Sequence, residues 1–105
     1  MAFKKMSKLD QKVIGECLQA LPLFVSEDLS TVTGVEENRL LEIIKTFPNV
    51  SDSNEDVDLA IHGALTNVVG YPHGMHKKWG TFISVSAEEL SLIHARWRAL
   101  KDAEK

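Results

Sequence analysis

The first strong pattern along the chain is a stripe of apolar residues spaced three and four positions apart, from residue 9 to residue 21. This spacing is typical of one face of an amphipathic α-helix. Proline lacks the amide hydrogen that a helix interior needs, so we expect Pro22 to end this first helix. The pattern predicts a helix over residues 8–21, with a buried face made of Leu9, Val13, Ile14, Cys17, Leu18 and Leu21.

Two shorter helices are predicted next, joined by a glycine. Ser26 is a favourable N-cap residue and two acids follow it, which predicts a helix over Glu27–Thr33. Gly34 ends this helix, and a third helix is predicted over Glu36–Phe47. The pair has the packing pattern of a helix-turn-helix. The inward residues of the third helix would be Leu40, Leu41, Ile44 and Phe47.

Two longer helices complete the predicted set. Ser53 and Asp56 have the spacing of a capping pair for the fourth helix, and Ser86 and Glu89 form a better capping box for the last. Both helices carry an apolar stripe at helical spacing. The stripes are Val57, Ile61, Ala64, Leu65 and Val68 in the fourth helix, and Leu90, Ile93, Trp97 and Leu100 in the last.

The two halves of the chain resemble each other. Residues 29–47 align without gaps on residues 79–97. The aligned pairs include Thr31 with Thr81, Val35 with Val85, Leu40 with Leu90 and Ile43 with Ile93. Any two amphipathic helices match at apolar positions, but shared residues in the turn favour an internal duplication of units 9–47 and 56–100.

This duplication decides how an ambiguous segment is interpreted. Residues 82–85 alone look like a short β-strand, whereas the alignment makes them the end of a short helix and its turn. A small extended segment is the alternative. The sequence predicts one all-α domain, residues 1–105, with five or six helices in two similar helix-turn-helix-like halves packed on one core.

Charge is distributed unevenly, although the net charge of the chain is only −3. Residues 13–70 hold ten acids against Arg39 and Lys45, a net charge of −8, and both ends of the chain are mildly basic. A DNA-reading helix needs cations toward phosphate, whereas acids outnumber cations on the third helix. An acidic block attracts basic proteins and repels nucleic acid, so the helix-turn-helix is interpreted as a packing scaffold.

Few residues indicate chemistry. A phosphate-binding glycine loop, a nucleophile elbow and a paired-carboxylate motif are all missing, so we predict no enzyme, no catalytic residue and no cofactor. Cys17, the one cysteine, lies on an apolar stripe and is expected to be buried. The acids of "SDSNEDVD" alternate as in a calcium loop but lack its required glycine and glutamate. With no apolar run of signal-peptide or membrane-span length, we expect a cytoplasmic protein with no membrane partner.

The stretch "YPHGMHKKW" is the most unusual in composition. His73 and His76 have the spacing of a metal pair, and His62 and His94 could lie nearby, but four ligands cannot be assembled and no metal is predicted. A structured loop is the plain interpretation. A partner-binding loop is the alternative, because Tyr71 and the two loop histidines are residue types found at interfaces.

The C-terminal half, "LAIHGALTNVVG…WGTFISVSAEELSLIHARWRAL", together with the size and charge layout, resembles small helical immunity proteins of bacterial toxin systems. The resemblance implies an inhibitor without a cofactor that binds and blocks a basic toxin or nuclease. Immunity proteins vary too much in fold for any site residue to be transferred. Our own candidates for the partner-binding surface are Glu27, Asp28, Glu36, Glu37, Glu42, Asp52, Glu55, Asp56, Asp58, Tyr71, His73 and His76.

Two other hypotheses stay open. A helix-turn-helix DNA-binding regulator would use the basic C-terminal half and would be expected to dimerise. Its phosphate contacts would come from Lys77, Lys78, Arg96, Arg98 and Lys101. An oligomeric structural protein would instead need an exposed apolar patch, for which Phe3 and residues 23–25 are candidates. The oligomeric state does not follow from the sequence.

Overall fold

The computed structural model describes residues 2–25, 28–70 and 76–104, without the side chain of His76. These residues form one compact all-α globule with six helices and no strand, which confirms the predicted fold class. None of the described helices has the length and apolar character needed to cross a bilayer. The helices are α1 (Lys8–Val25), α2 (Leu29–Thr33), α3 (Glu37–Thr46), α4 (Glu55–Gly70), α5 (Trp79–Phe82) and α6 (Ala87–Ala103), and 3₁₀ turns span Phe3–Lys5 and His76–Lys78.

Helix α1 is longer than the sequence predicts, because it continues through Pro22 to Val25. A proline in a helix interior removes one hydrogen bond and costs about 3 kcal/mol. Phe24 and Val25 are almost completely buried, and burying each contributes roughly 1.5–3 kcal/mol. The prediction that Pro22 ends the helix is wrong, since the packing of the last turn outweighs the local preference.

The core lies where α1 packs on α4, with α6 beside α4. Cys17 is buried as expected, and the predicted stripe of α4 is buried along its whole length. Trp97 of α6 is the largest fully buried side chain. The three long helices therefore form the scaffold, and the shorter helices α2, α3 and α5 attach to it.

Two leucines that were predicted to face inward are exposed, Leu9 by 59% and Leu41 by 44%. At about 100° per residue, Leu9 lies roughly 110° from the centre of the buried face of α1. Leu41 lies about 130° from the midpoint between Leu40 and Ile43, the buried residues of α3. The predictions for both leucines are wrong, because apolar spacing alone overestimates the width of a buried face.

A buried carboxylate joins three parts of the chain. Asp52, in the loop between α3 and α4, is fully buried. Its Oδ2 accepts a hydrogen bond from the backbone nitrogen of Phe3 at 3.0 Å and another from Nε1 of Trp97 at 2.9 Å. Lys101 Nζ donates to the backbone oxygen of Asp52 at 2.5 Å. Because a buried carboxylate is costly unless hydrogen-bonded, these contacts hold the N-terminal turn and α6 to the start of α4.

The turn between α2 and α3 is built on Gly34, whose φ of 74° lies in the left-handed region that glycine adopts without penalty. Thr33 Oγ1 closes the turn by donating to the backbone oxygen of Leu29 at 2.7 Å and accepting from the nitrogen of Val35 at 3.1 Å. The predicted start of α2 at Ser26 and Glu27 lies outside the described residues.

The turn between α5 and α6 is closed by a different hydrogen bond from the one between α2 and α3. Residues 79–82 form α5 and end at Ile83, so the prediction of a short helix rather than a strand is confirmed. Trp79 Nε1 donates to the backbone oxygen of Val85 at 2.6 Å. Helices α5 and α6 begin 50 residues after α2 and α3 respectively. A shared origin of the two halves stays a prediction.

The two predicted helix caps differ in outcome. Ser86 Oγ accepts from the backbone nitrogen of Glu89 at 3.1 Å, which confirms the Ser86 half of the predicted capping box, and the Glu89 carboxylate accepts from Arg96 at 3.3 Å. The Ser53–Asp56 pair is wrong, because α4 begins at Glu55 and the Asp56 carboxylate binds Arg39 instead. Ser53 lies one position too far upstream to be the residue that precedes the helix.

Candidate functional site

Carboxylates collect where α3 and α4 begin. Glu36 and Glu37 stand at the start of α3, and Glu55 is the first residue of α4; all three are exposed. An acid in the first turn of a helix interacts with the helix dipole by about 0.3–1 kcal/mol at a surface. The interaction with the helix dipole explains why these acids stand at helix starts. Their carboxylates still face solvent.

Arg39 links the two helix starts. Its Nε donates to Asp56 of α4, and its Nη1 donates to Glu42 of α3 at 2.7 Å. The hydrogen bond from Arg39 lowers the pKa of Asp56, and the same contact is the main cause of a raised pKa for the guanidinium. One cation shared by two carboxylates leaves the cluster negative.

The exposed side of α3 carries an apolar residue among these charges. Leu41 lies one turn after Glu37 and one turn before Lys45, so the three side chains are neighbours on the helix surface. On the opposite edge of the exposed side lie Glu42 and Arg39, and α4 continues the surface there. We define the acidic face as Glu36, Glu37, Leu41, Glu42, Glu55 and Asp56.

An open groove runs along the junction of α3 and α4 within this region. It is lined by Gly34, Arg39, Asn54, Glu55, Asp56 and Leu59. The turn glycine and the first residues of α4 thus border the same groove, which places Glu55 beside the α2–α3 turn. Arg39 is the residue of α3 through which the acidic face reaches Asp56 of α4.

The other predicted partner-binding acids are elsewhere or engaged. Asp52 is buried in the core contact described above. Asp58 is half-buried and pairs with Lys101 at 3.4 Å. Asp28 is exposed at the start of α2 and makes an interaction of its own within the chain. Asp52 is therefore not available to a partner, because folding uses its carboxylate.

Most of the predicted interface loop lies outside the described residues. Tyr71 and His73 lie outside the described residues, as does Glu27, and only the backbone of His76 is described. The chain after this loop begins with the 3₁₀ turn that leads into α5. The role of these residues in partner binding stays a prediction.

Two cations of the basic C-terminal half form ion pairs within the chain. Arg96 makes a two-pronged contact with Asp10, with Nε–Oδ2 and Nη2–Oδ1 distances of 2.9 Å and 3.0 Å. Hydrogen bonding to Asp10 is the main cause of a raised pKa for Arg96. Lys101 is bound to Asp52 and Asp58. Two of the five cations that a DNA reader would use are thus neutralised within the chain.

Sequence reasoning missed a contact between two histidines. His62 of α4 and His94 of α6 lie with Nδ1 and Nε2 only 3.1 Å apart. The signal that could have found the pair is the position of each histidine beside the apolar stripe of its own helix, combined with the packing of α4 on α6. The sequence suggested only that these two histidines could lie near the loop histidines.

The remaining reactive side chain is sequestered. Burial raises the pKa of Cys17 to about 12, so the thiolate that nucleophilic chemistry needs is not formed near neutral pH. Within residues 2–25, 28–70 and 77–104, no group of three or more His, Cys, Asp or Glu side chains is arranged to hold a metal ion. No protein-family model, curated protein or solved structure matches this chain.

Proposed function

We propose that the protein is a non-enzymatic binding module that acts in the cytoplasm and docks a basic protein through its acidic face. The observation that carries the proposal is the 44% exposure of Leu41 on a helix surface with carboxylates on both sides. Interfaces commonly combine an apolar centre with a polar rim. Leu41 would be buried against the partner, while the carboxylates would steer its approach.

The charge pattern supports a cationic partner. Glu36, Glu37 and Glu55 are exposed and form no ion pair with another described residue. Cations of the partner could bind these carboxylates without breaking ion pairs inside the protein. The partner class that we propose is a basic toxin or nuclease domain, as the resemblance to immunity-type proteins implies.

The test uses the protein as bait in extracts of the cells that produce it, with two matched pairs of variants. E37K reverses a charge on the acidic face, and E88K reverses an exposed first-turn acid on α6. L41E changes the exposed leucine of the face, and L92E changes a somewhat more exposed leucine of α6. We expect a basic protein to be captured by wild type, E88K and L92E, and at least tenfold less by E37K and L41E, a difference of about 1.4 kcal/mol.

Three results would contradict the proposal: equal capture by all five baits, equal loss in the control variants, or no basic protein among those captured. A parallel mobility assay with duplex DNA separates the main alternative. A shift that weakens steeply as salt rises would favour the DNA-binding regulator instead. If the captured protein is a toxin, the purified module should inhibit it at one-to-one stoichiometry.

A further inference from the structure

The two histidines that meet between α4 and α6 are held in a defined geometry. The His62 and His94 rings have centroids 5.1 Å apart and are tilted by 55°. His94 stacks on Trp97 with a centroid distance of 6.1 Å and an interplanar angle of 25°. Trp97 is itself buried and hydrogen-bonded to Asp52. The position of His94 is therefore set by the core rather than by solvent-exposed contacts.

We propose that His62 Nδ1 and His94 Nε2 bind a divalent transition-metal ion of the zinc class. Imidazole nitrogens suit zinc, copper and nickel, and zinc–nitrogen bonds are about 2.0–2.1 Å long. Two such bonds place the nitrogens about 2.9 Å apart at a right angle and about 3.3–3.4 Å apart at a tetrahedral angle. The observed 3.1 Å lies between these values, so the separation of the two nitrogens has to change by only a few tenths of an ångström, and the rings have to turn so that both lone pairs point at the ion.

Without an ion, the same separation fits a hydrogen bond in which one imidazole donates to the other. Binding requires a lone pair on both facing nitrogens. The proton on the donor ring then leaves its inner nitrogen and an equivalent proton is taken up on the outer nitrogen of that ring, by exchange with water. The total number of protons is unchanged, and the two outer N–H groups point away from the ion.

Exposure and charge around the pair define the kind of site. His62 is exposed and His94 is half-buried, so an ion reaches them from solvent. The pKa of His94 is lowered, chiefly by burial and then by His62 and Arg98, which keeps the ring neutral at neutral pH. Arg98, one turn after His94, opposes a cation, whereas Asp58, one turn before His62, is already paired with Lys101.

Two protein ligands leave the other coordination positions to water. Such an open site binds more weakly than a closed four-ligand site and does not hold the fold together. The site shares no residue with the acidic face, so metal binding and partner binding can be tested separately.

Zinc titration by calorimetry tests the site on the full chain, with zinc ion alone as the probe. The variants are H62Q, H94Q and a matched double control, H73Q/H76Q, which removes the other two histidines. We expect one zinc ion per chain for wild type and the control, and at least tenfold weaker binding for H62Q and H94Q. Magnesium, which prefers oxygen ligands, should not bind at this site.

A second measurement guards against an altered fold in the variants. In ¹⁵N spectra of the folded wild type, zinc should shift the inner nitrogens of His62 and His94 and leave the imidazoles of His73 and His76 unchanged. The proposal fails if wild type binds no zinc, if H62Q and H94Q bind as tightly as wild type, if the loop control abolishes binding, or if the zinc-induced shifts occur at the loop histidines.

Discussion

At the scale of single residues, Asp52 shows how a charged side chain can serve the fold. It was a candidate for partner binding because it belongs to the acidic block, yet it is fully buried. One of its oxygens satisfies two buried donors, the backbone nitrogen of Phe3 and the indole of Trp97. The charge count along the sequence could not separate this acid from its exposed neighbours.

Replacing Asp52 with alanine should destabilise the protein strongly. The change leaves two buried donors without an acceptor, and each unsatisfied group costs about 1–3 kcal/mol. We expect the free energy of unfolding, measured in urea, to fall by about 2–6 kcal/mol. Ser53→Ala, at an exposed neighbouring position, should change it by less than about 0.5 kcal/mol. Equal effects of the two substitutions would show that the carboxylate does not anchor the fold.

At the scale of elements, some helix boundaries follow from local signals and others from packing between distant segments. The Ser86 cap and the left-handed Gly34 are local features, and both are where the sequence predicts them. The end of α1 is different, because Pro22 has a local cost that is recovered only when Phe24 and Val25 reach the core. The residues around Pro22 show the destabilising effect of the proline, but they do not show the stabilisation that Phe24 and Val25 gain in the core.

Pro22→Ala should therefore stabilise the protein. Alanine restores a helical hydrogen-bond donor inside α1, where proline costs about 3 kcal/mol. Proline also restricts the unfolded chain, and alanine does not, so the substitution loses roughly 0.4–1 kcal/mol of this stabilisation. We expect the free energy of unfolding to rise by about 2 kcal/mol. Gln19→Ala, at an exposed position of the same helix, should change it by less than about 0.5 kcal/mol, and an unchanged or lower stability in Pro22→Ala would contradict the account.

At the scale of the whole molecule, ion pairs distant in sequence decide which charges remain on the surface. Arg96 near the C-terminus binds Asp10 near the N-terminus, and Lys101 binds the loop before α4 and the first turns of α4. Part of the positive charge near the C-terminus is thus neutralised by carboxylates of the same chain. The acids at the starts of α3 and α4 keep more of their charge exposed.

Arg96→Ala tests this long-range pairing. Its removal leaves the Asp10 carboxylate, whose side chain is only 10% exposed, without its cation. We expect the free energy of unfolding to fall by about 1–3 kcal/mol, the range for a buried polar group that loses its partner. Arg98→Ala removes an exposed cation 5.9 Å from the Trp97 ring and should cost less than about 1 kcal/mol. A larger loss in Arg98→Ala than in Arg96→Ala would reverse our view of which cation supports the fold.

The candidate site was predicted only in part. Glu36, Glu37, Glu42, Glu55 and Asp56 were named from the acidic block, and the structure joins only Glu42 and Asp56 among them, through Arg39. Leu41 was missed as a surface residue, because its spacing from Leu40 and Ile44 is compatible with an inward position. The His62–His94 contact was missed because it depends on the rotation of two helices distant in sequence.

The sequence by itself determined the helices, their main buried faces and the tight turn at Gly34. Each of these follows from interactions among residues within a few positions of one another, and such interactions are visible in a linear pattern. Only the tertiary structure decided that α1 passes through Pro22, that Asp52 is buried, which cations are neutralised and that two histidines meet. These features depend on contacts across the core, where the free energy of burial and pairing between distant segments exceeds the local preferences of the chain.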